Sequence, residues 1–311
     1  MQIYVDYLHQ RGANRRQYEQ KYGDEFSKRA RLIDSIEYIP RSVVVRKRAA
    51  PNLPLANYDN EPSATRLVSI DNSPRAVSTL AVYGDSSIPA SVKDVSPPPD
   101  YIVSLSDVTC LPRQVIIGST GILPDTFRRR NPRHEHVQLR SHGDYRIPKL
   151  PHRPSATIEK PAFYFDGEHA SHYGHLTLEI ASRLWSSAYL DYRAHCFITS
   201  GNNIDLLHCF LKPFGVDRDQ IYILRSATNI KNLVISSQSY YLEGSASERA
   251  RSVWNTIAEY YYKGPINKDI YVSRKKWKKQ RVLVNEEEVE EIFDKRGFTV
   301  LYPEELTFDE Q

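Results

Sequence analysis

Between Pro161 and Leu190 the chain reads PAFYFDGEHASHYGHLTLEIASRLWSSAYL, a stretch that concentrates groups able to move protons. His169, His172 and His175 recur every third residue, with Asp166 and Glu168 just before them and Glu179 just after. Imidazole titrates near neutrality, and a carboxylate that orients it makes the second half of a general-base pair. On one regular helix His175, Glu179 and Arg183, at i, i+4 and i+8, would stack as a single polar stripe. The H-x-x-H-x-x-H spacing also raises a metal reading, since transition metals favour imidazole. Against it stand the lack of an HExxH pattern and of any cysteine pair, and no metal site is expected. For His175 alone, the bland alternative is a helix-start histidine satisfied by its neighbours.

These groups need elements to hold them. Phe163, Tyr164 and Phe165 predict a short buried strand, and Gly174-His175 opens a segment of helical period with Leu176, Ile180, Leu184 and Ala188 on one face. A strand that hands imidazole and carboxylate to a helix start is how open α/β proteins build a site at a strand's carboxyl end. Downstream, HCFITS (195–200), QIYIL (220–224) and NLVIS (232–236) predict strands. IDLLHCFLKPFG (204–215) predicts a short helix, and SERARSVWNTIAEYYYKG (247–264) a longer one with Ser247 as its N-cap. Upstream, YIVSL from Tyr101 and QVIIGSTG are strand-like. Strands alternating with helices predict an α/β fold with a mainly parallel sheet covered on both faces.

The flanks carry less. MQIYV suits a strand and RRQYEQKYGDEFSKRARLIDSI a charged helix. Residues 48–99 are rich in Pro, Ser, Asn and Ala and read as a linker or loose extension. The run from Thr126 to Pro154, rich in Arg and His, reads as a long surface loop, with a basic loop that holds an anionic substrate as the sharper alternative. Near the C-terminus DIYVSR (269–274) predicts a strand, Asn285 the N-cap of a helix EEEVEEIF with acidic residues at its positive end, and FTVLYP (298–303) another strand. One strand-helix-strand unit cannot close its own core, so the expectation is a second α/β domain cut short. Arg274 and Arg281 lie at that unit's carboxyl edge, where guanidinium groups suit a diphosphate. Neither GxGxxG nor GxxxxGK[ST] nor GxSxG occurs.

Composition sets the outer limits. The 311 residues carry a formal net charge of +4 and three widely spaced cysteines, Cys110, Cys196 and Cys209, read as reduced buried thiols. The mild basicity favours anionic partners but falls far short of a nucleic-acid footprint, and basic and aromatic residues are not interleaved on any one element. No stretch approaches the ~20 apolar residues of a membrane span. The expectation is a cytoplasmic protein, with peripheral association at the inner face of the membrane allowed.

Several motifs in order, SHYGHLTLEIASRLW, LLHCFLKPFGV, LVISSQSYYLEG and IYVSRKKWKKQRVLVNEEEVEEIFDKRGFTVLYPEELTFDEQ, resemble the bacterial branch of glycosyltransferase family 61, the capsular polysaccharide biosynthesis type. The resemblance spans about residues 100 to 311. It rests most on Ser273, Arg274, Arg281, Asn285, Glu286, Gly297, Phe298, Pro303, Glu304, Glu310 and Gln311, with Tyr173, Gly174, His175 and Glu179 as the second element. It implies a GT-B-like arrangement: residues 1–95 a divergent extension, 96–265 a Rossmann-like acceptor domain, and 266–311 the beginning of a second Rossmann-like domain for the nucleotide sugar. It also implies an inverting transferase without a bound metal or other cofactor, moving sugar from a nucleotide-sugar donor to a hydroxyl of a glycan or lipid-linked glycan. On this reading His175 is the base, Glu179 orients it, and Asp166 and Glu168 are reserve bases. Tyr173, Gly174, His172 and Arg183 touch substrate, and Arg274, Arg281 and Asn285 hold the donor diphosphate. The rivals are a non-catalytic glycan-binding remnant, motivated by the missing donor half, and a metal-dependent phosphohydrolase built on the histidines.

Overall fold

The computed structural model describes residues 52–71, 75–76, 94–95, 98–128, 135–142, 144–241, 245–262, 264, 269–276, 283–308 and 310. The expected N-terminal strand and charged helix, and Arg281, lie outside the described residues. An eight-stranded sheet is built from β1 (Ala64–Ile70), β2 (Asp100–Leu111), β3 (Val115–Ile117), β6 (Ala156–Ile158), β7 (Ala162–Tyr164), β8 (Cys196–Thr199), β9 (Ile221–Ile223) and β10 (Thr228–Ser236). A separate hairpin, β4 (Leu139–His142) and β5 (Tyr145–Pro148), lies between β3 and β6 in the chain. The sheet runs β9-β8-β7-β10-β2-β1, with β3 beside β2 and β6 beside β10.

Strands β9, β8, β7 and β10 are mutually parallel, as is β6 to β10, whereas β2, β1 and β3 are antiparallel to their neighbours. The expected α/β fold with a largely parallel sheet therefore holds in the half that contains the histidine stretch. The other half is antiparallel because the long strand β2 turns straight back into β3 and also pairs with β1.

Register sorts the apolar residues between two faces, because successive side chains of a strand point opposite ways. Phe163 sits opposite Phe197 and Val234, and these join Ile102, Ile180, Leu184 and Trp185 in one buried cluster. Tyr164, Ile198, Leu233 and Ile235 point the other way, into a cluster with Val103, Leu105 and Leu123. Both faces being covered explains why AFYF is a continuous apolar run instead of an alternating one. α1 (Ile204–Leu211) buries Leu207, Phe210 and Leu211, with Asn203 accepting the Leu206 amide as N-cap. α2 (Glu248–Tyr261) buries Ala250 and Val253 on the same side. β11 (Ile270–Val272), α3 (Glu286–Asp294) and β12 (Thr299–Leu301) make a strand-helix-strand unit whose two parallel strands form their own small sheet.

Four expectations are corrected. Residues 53–70 are not all loose linker: ATRLVSI pairs with β2 as an edge strand, and Ala56 and Tyr58 pack on the second face of the sheet. The stretch from Thr126 to Pro154 is not simply surface loop, because Leu139 joins Leu111, Ile122 and Phe127 in a third small core that anchors the β4–β5 hairpin. Ser247 and Asn285 occupy N-cap positions but make no side-chain capping bond. Of the three cysteines only Cys110 is fully buried; Cys196 and Cys209 are partly exposed, and all three are free thiols.

Candidate functional site

The histidine segment is not one regular helix. An α turn (Tyr173–His175) passes into a π turn (Leu176–Ile180) and then into 3-10 turns (Ala181–Ala188). A π turn takes an extra residue per turn, so residues beyond it rotate away from the phase of those before it. His175, just before the widened turn, and Glu179, within it, remain together: His175 Nδ1 is 3.2 Å from Glu179 Oε1. Arg183 is carried inward. Its side chain is wholly buried, Nη1 donates to Asp125 Oδ1 at 2.8 Å and to the Ser236 carbonyl at 2.5 Å, and its guanidinium lies over the Tyr164 ring. The expected single polar stripe thus ends at Glu179, and Arg183 is a core tie with no route to a substrate.

Asp166 is also withdrawn. It follows β7, has no exposed surface, and both oxygens are taken: Oδ2 accepts the Gln114 amide at 3.0 Å, while Oδ1 accepts the Ser200 amide and hydroxyl, each at 2.7 Å. Burial raises the pKa of its carboxyl, although the donors from Ser200 and Gln114 oppose that rise. As a buried acceptor it fixes two loops in place and cannot reach an acceptor hydroxyl. Glu168 is buried too, its Oε1 accepting the Val137 amide at 2.8 Å and lying 3.7 Å from His136 Nε2.

What reaches the surface is the imidazole cluster. The His169 and His175 rings lie 4.8 Å apart and the His172 and His175 rings 5.0 Å apart, centroid to centroid. A cleft of about 230 Å³ opens beside them at the carboxyl ends of β7 and β8, lined by Arg113, Glu168, His169, Ser171, His172 and Ser200 among others. Burial, and then the nearby His175, lower the pKa of His169, which keeps that ring neutral at physiological pH. Among the described residues no group of three or more His, Cys, Asp or Glu side chains is arranged to hold a metal ion.

Arg128 completes the cluster, with Nη2 donating to Glu179 Oε1 at 2.5 Å and lying 3.5 Å from His175 Nδ1. His175 Nδ1 thus faces both the Glu179 carboxylate and the Arg128 guanidinium, a donor only, and the two groups together fix the ring's position. Tyr173 is half-exposed and packs on Phe210. Gly174 has open space, since a Cβ there would meet nothing closer than the His172 ring at 3.6 Å. Gly167 is different: a Cβ would come within 2.8 Å of the Ile180 side chain, which would have to shift to admit it.

The expected donor residues stand elsewhere, on the strand-helix-strand unit. The side chains of Arg274 and Asn285 are exposed, and the Arg274 amide donates to Glu286 Oε1 at 2.9 Å. Ser273 is buried, its hydroxyl bound to Glu290. The residues that sequence reasoning missed are Arg113, Gln114, Arg128 and Ser200. Arg128 was submerged in an RRR run, and Arg113 and Gln114 were hidden in the turn between two strands, where only the backbone shows their unusual conformation.

Residues 173–311 match the family model described as Glycosyltransferase 61. Comparisons with curated proteins and with solved structures give no match. The matched span begins at Tyr173 and takes in His175, Glu179, Arg274 and Asn285, while the cleft's other wall, from Arg113 to His172, precedes it. Over those residues the chain is similar to glycosyltransferases of family 61.

Proposed function

We propose that this chain is an inverting glycosyltransferase that moves a sugar from a nucleotide-sugar donor to a hydroxyl of a surface or capsular glycan. The observation that carries the reading is the His175–Glu179 pair, held at 3.2 Å inside the family-matched segment and beside an open cleft. In the proposed step His175 carries its proton on Nδ1, toward Glu179, and Nε2 takes the proton from the acceptor hydroxyl. The acceptor oxygen forms a bond to the anomeric carbon from the face opposite the leaving group, the bond to the diphosphate breaks, and its electron pair leaves with the nucleoside diphosphate. Glu179 and Arg128 orient the ring, and the Glu179 carboxylate stabilises the imidazolium that forms. Arg274 is the proposed partner of the departing diphosphate, whose growing charge a guanidinium neutralises. The proposed location is cytoplasmic, and among the described residues no helix is long and apolar enough to cross a membrane.

The test is acceptor-dependent release of nucleoside diphosphate from a panel of UDP- and GDP-sugars with oligosaccharide acceptors. His175→Ala should lower turnover at least ~100-fold, the usual scale of general-base catalysis, while circular dichroism stays unchanged. Glu179→Gln should give a smaller loss. Wild-type turnover in His175→Ala would end the assignment.

A further inference from the structure

The turn between β2 and β3 holds two consecutive non-glycine residues in the left-handed region, Arg113 at φ 64° and Gln114 at φ 66°. This conformation is uncommon for L side chains and persists only where the surroundings fix it. Here they do. The Arg113 amide donates to Ser200 Oγ at 2.9 Å, and Ser200 donates in turn to Asp166. Gln114 is clamped on three sides: its amide donates to Asp166 Oδ2, its Nε2 to the Asp125 carbonyl, and its Oε1 accepts the Glu168 amide at 2.9 Å. The buried Asp166 thus anchors the strained turn to the end of β8.

The product of this anchoring is the placement of one side chain. Arg113 lines the cleft and is exposed, and among the described residues no carboxylate pairs with its guanidinium. Glu168, which shares the cleft, turns its Oε1 to the Val137 amide and His136. The remaining polar lining is imidazole and hydroxyl. A guanidinium with a fork of free donors suits an oxyanion better than a neutral sugar face. His169 lines the same cleft and its ring lies 4.8 Å from that of His175, so the cleft wall is in contact with the proposed base.

We propose that this cleft is the acceptor subsite and that Arg113 selects an acceptor bearing an oxyanion, a phosphate or a carboxylate, close to the accepting hydroxyl. The inference rests on the transferase reading for the word acceptor, but the anion site stands or falls separately. Titration calorimetry on the full chain with glucose 1-phosphate, glucuronate and glucose as probes tests it. The two anionic sugars should bind and glucose should not. Arg113→Gln, which keeps an unbranched side chain in the turn, should weaken anion binding about 10- to 100-fold, the scale of one charged hydrogen bond. Stronger binding of glucose 1-phosphate than of glucuronate assigns the anion as phosphate, and the reverse order as carboxylate.

Equal binding by Arg113→Gln and wild type, glucose binding as well as the anionic sugars, or no binding of any probe would overturn the subsite. Arg113-dependent binding without any sugar transfer would leave the subsite standing and remove the transferase reading instead.

Discussion

At the scale of single residues, the chemistry of this protein depends on which groups each buried carboxylate meets. Glu179 meets His175 and Arg128, whereas Asp166, two residues past a strand end, is consumed by three backbone and hydroxyl donors. Glu61 shows the same saturation away from the site. Burial disfavours its charge, but donors from Thr120, Ser63 and Ser119 outweigh that and hold its pKa at about 2. A carboxyl whose folded pKa is depressed stabilises the fold at pH values above its unfolded value and loses that contribution as pH falls through the folded one. Glu61→Gln should therefore be less stable than wild type at pH 7, with the gap closing between about pH 4.5 and 2. Urea midpoints at pH 7 and pH 2.5 measure it, and a gap that stays constant would contradict the assignment.

At the scale of elements, the π turn after Tyr173 decides the fate of the segment. It keeps Glu179 against the partly exposed His175 while turning Arg183 into the core. There Arg183 joins Asp125, which also accepts Tyr58 at 2.7 Å and Tyr101 at 2.5 Å. This network ties the segment before β1, the start of β2 and the histidine segment together behind the site. Breaking a buried ion pair by removing one partner leaves a charge without compensation and costs about 3–5 kcal/mol. Arg183→Met should lose stability on that scale in chemical denaturation. Arg183→Met with Asp125→Asn should recover part of the loss, because the stranded carboxylate is gone. A single variant as stable as wild type would show that the network contributes nothing net.

At the scale of the whole molecule, the question is how the strand-helix-strand unit is held to the main sheet. Phe308, beyond β12, packs edge-on to Phe210 of α1 at 5.0 Å and to Tyr261 of α2 at 5.1 Å. This contact ties the end of the chain to the face that carries the histidine segment. Phe308→Ala should cost about 1–2 kcal/mol, within the range of ordinary contact losses for a half-buried side chain. It should also speed hydrogen exchange at amides of 270–301 more than at those of β7 and β10. Uniform acceleration throughout would mean the contact stabilises the fold globally and does not anchor that unit.

The sequence by itself determined the elements that are locally dictated. The continuous apolar run at Phe163–Phe165, the apolar stripe of α1, and the strand-helix-strand order from Ile270 to Leu301 all follow from periodicity and turn chemistry. So did the pairing of His175 with Glu179, because four residues apart is close in space on most helical turns. Only the tertiary structure decided the rest. Whether the helix stays regular past His175 depends on what Arg183 finds in the core, and Asp125 stands 58 positions away. Whether Asp166 is base or buttress depends on Gln114 and Ser200, which the sheet brings from 52 and 34 positions away. The antiparallel half of the sheet, and the strand formed within residues 53–70, arise from pairing with β2 that no local pattern encodes. Arg113 became visible only as part of a strained turn, because long-range hydrogen bonds and not its neighbours in sequence hold that conformation.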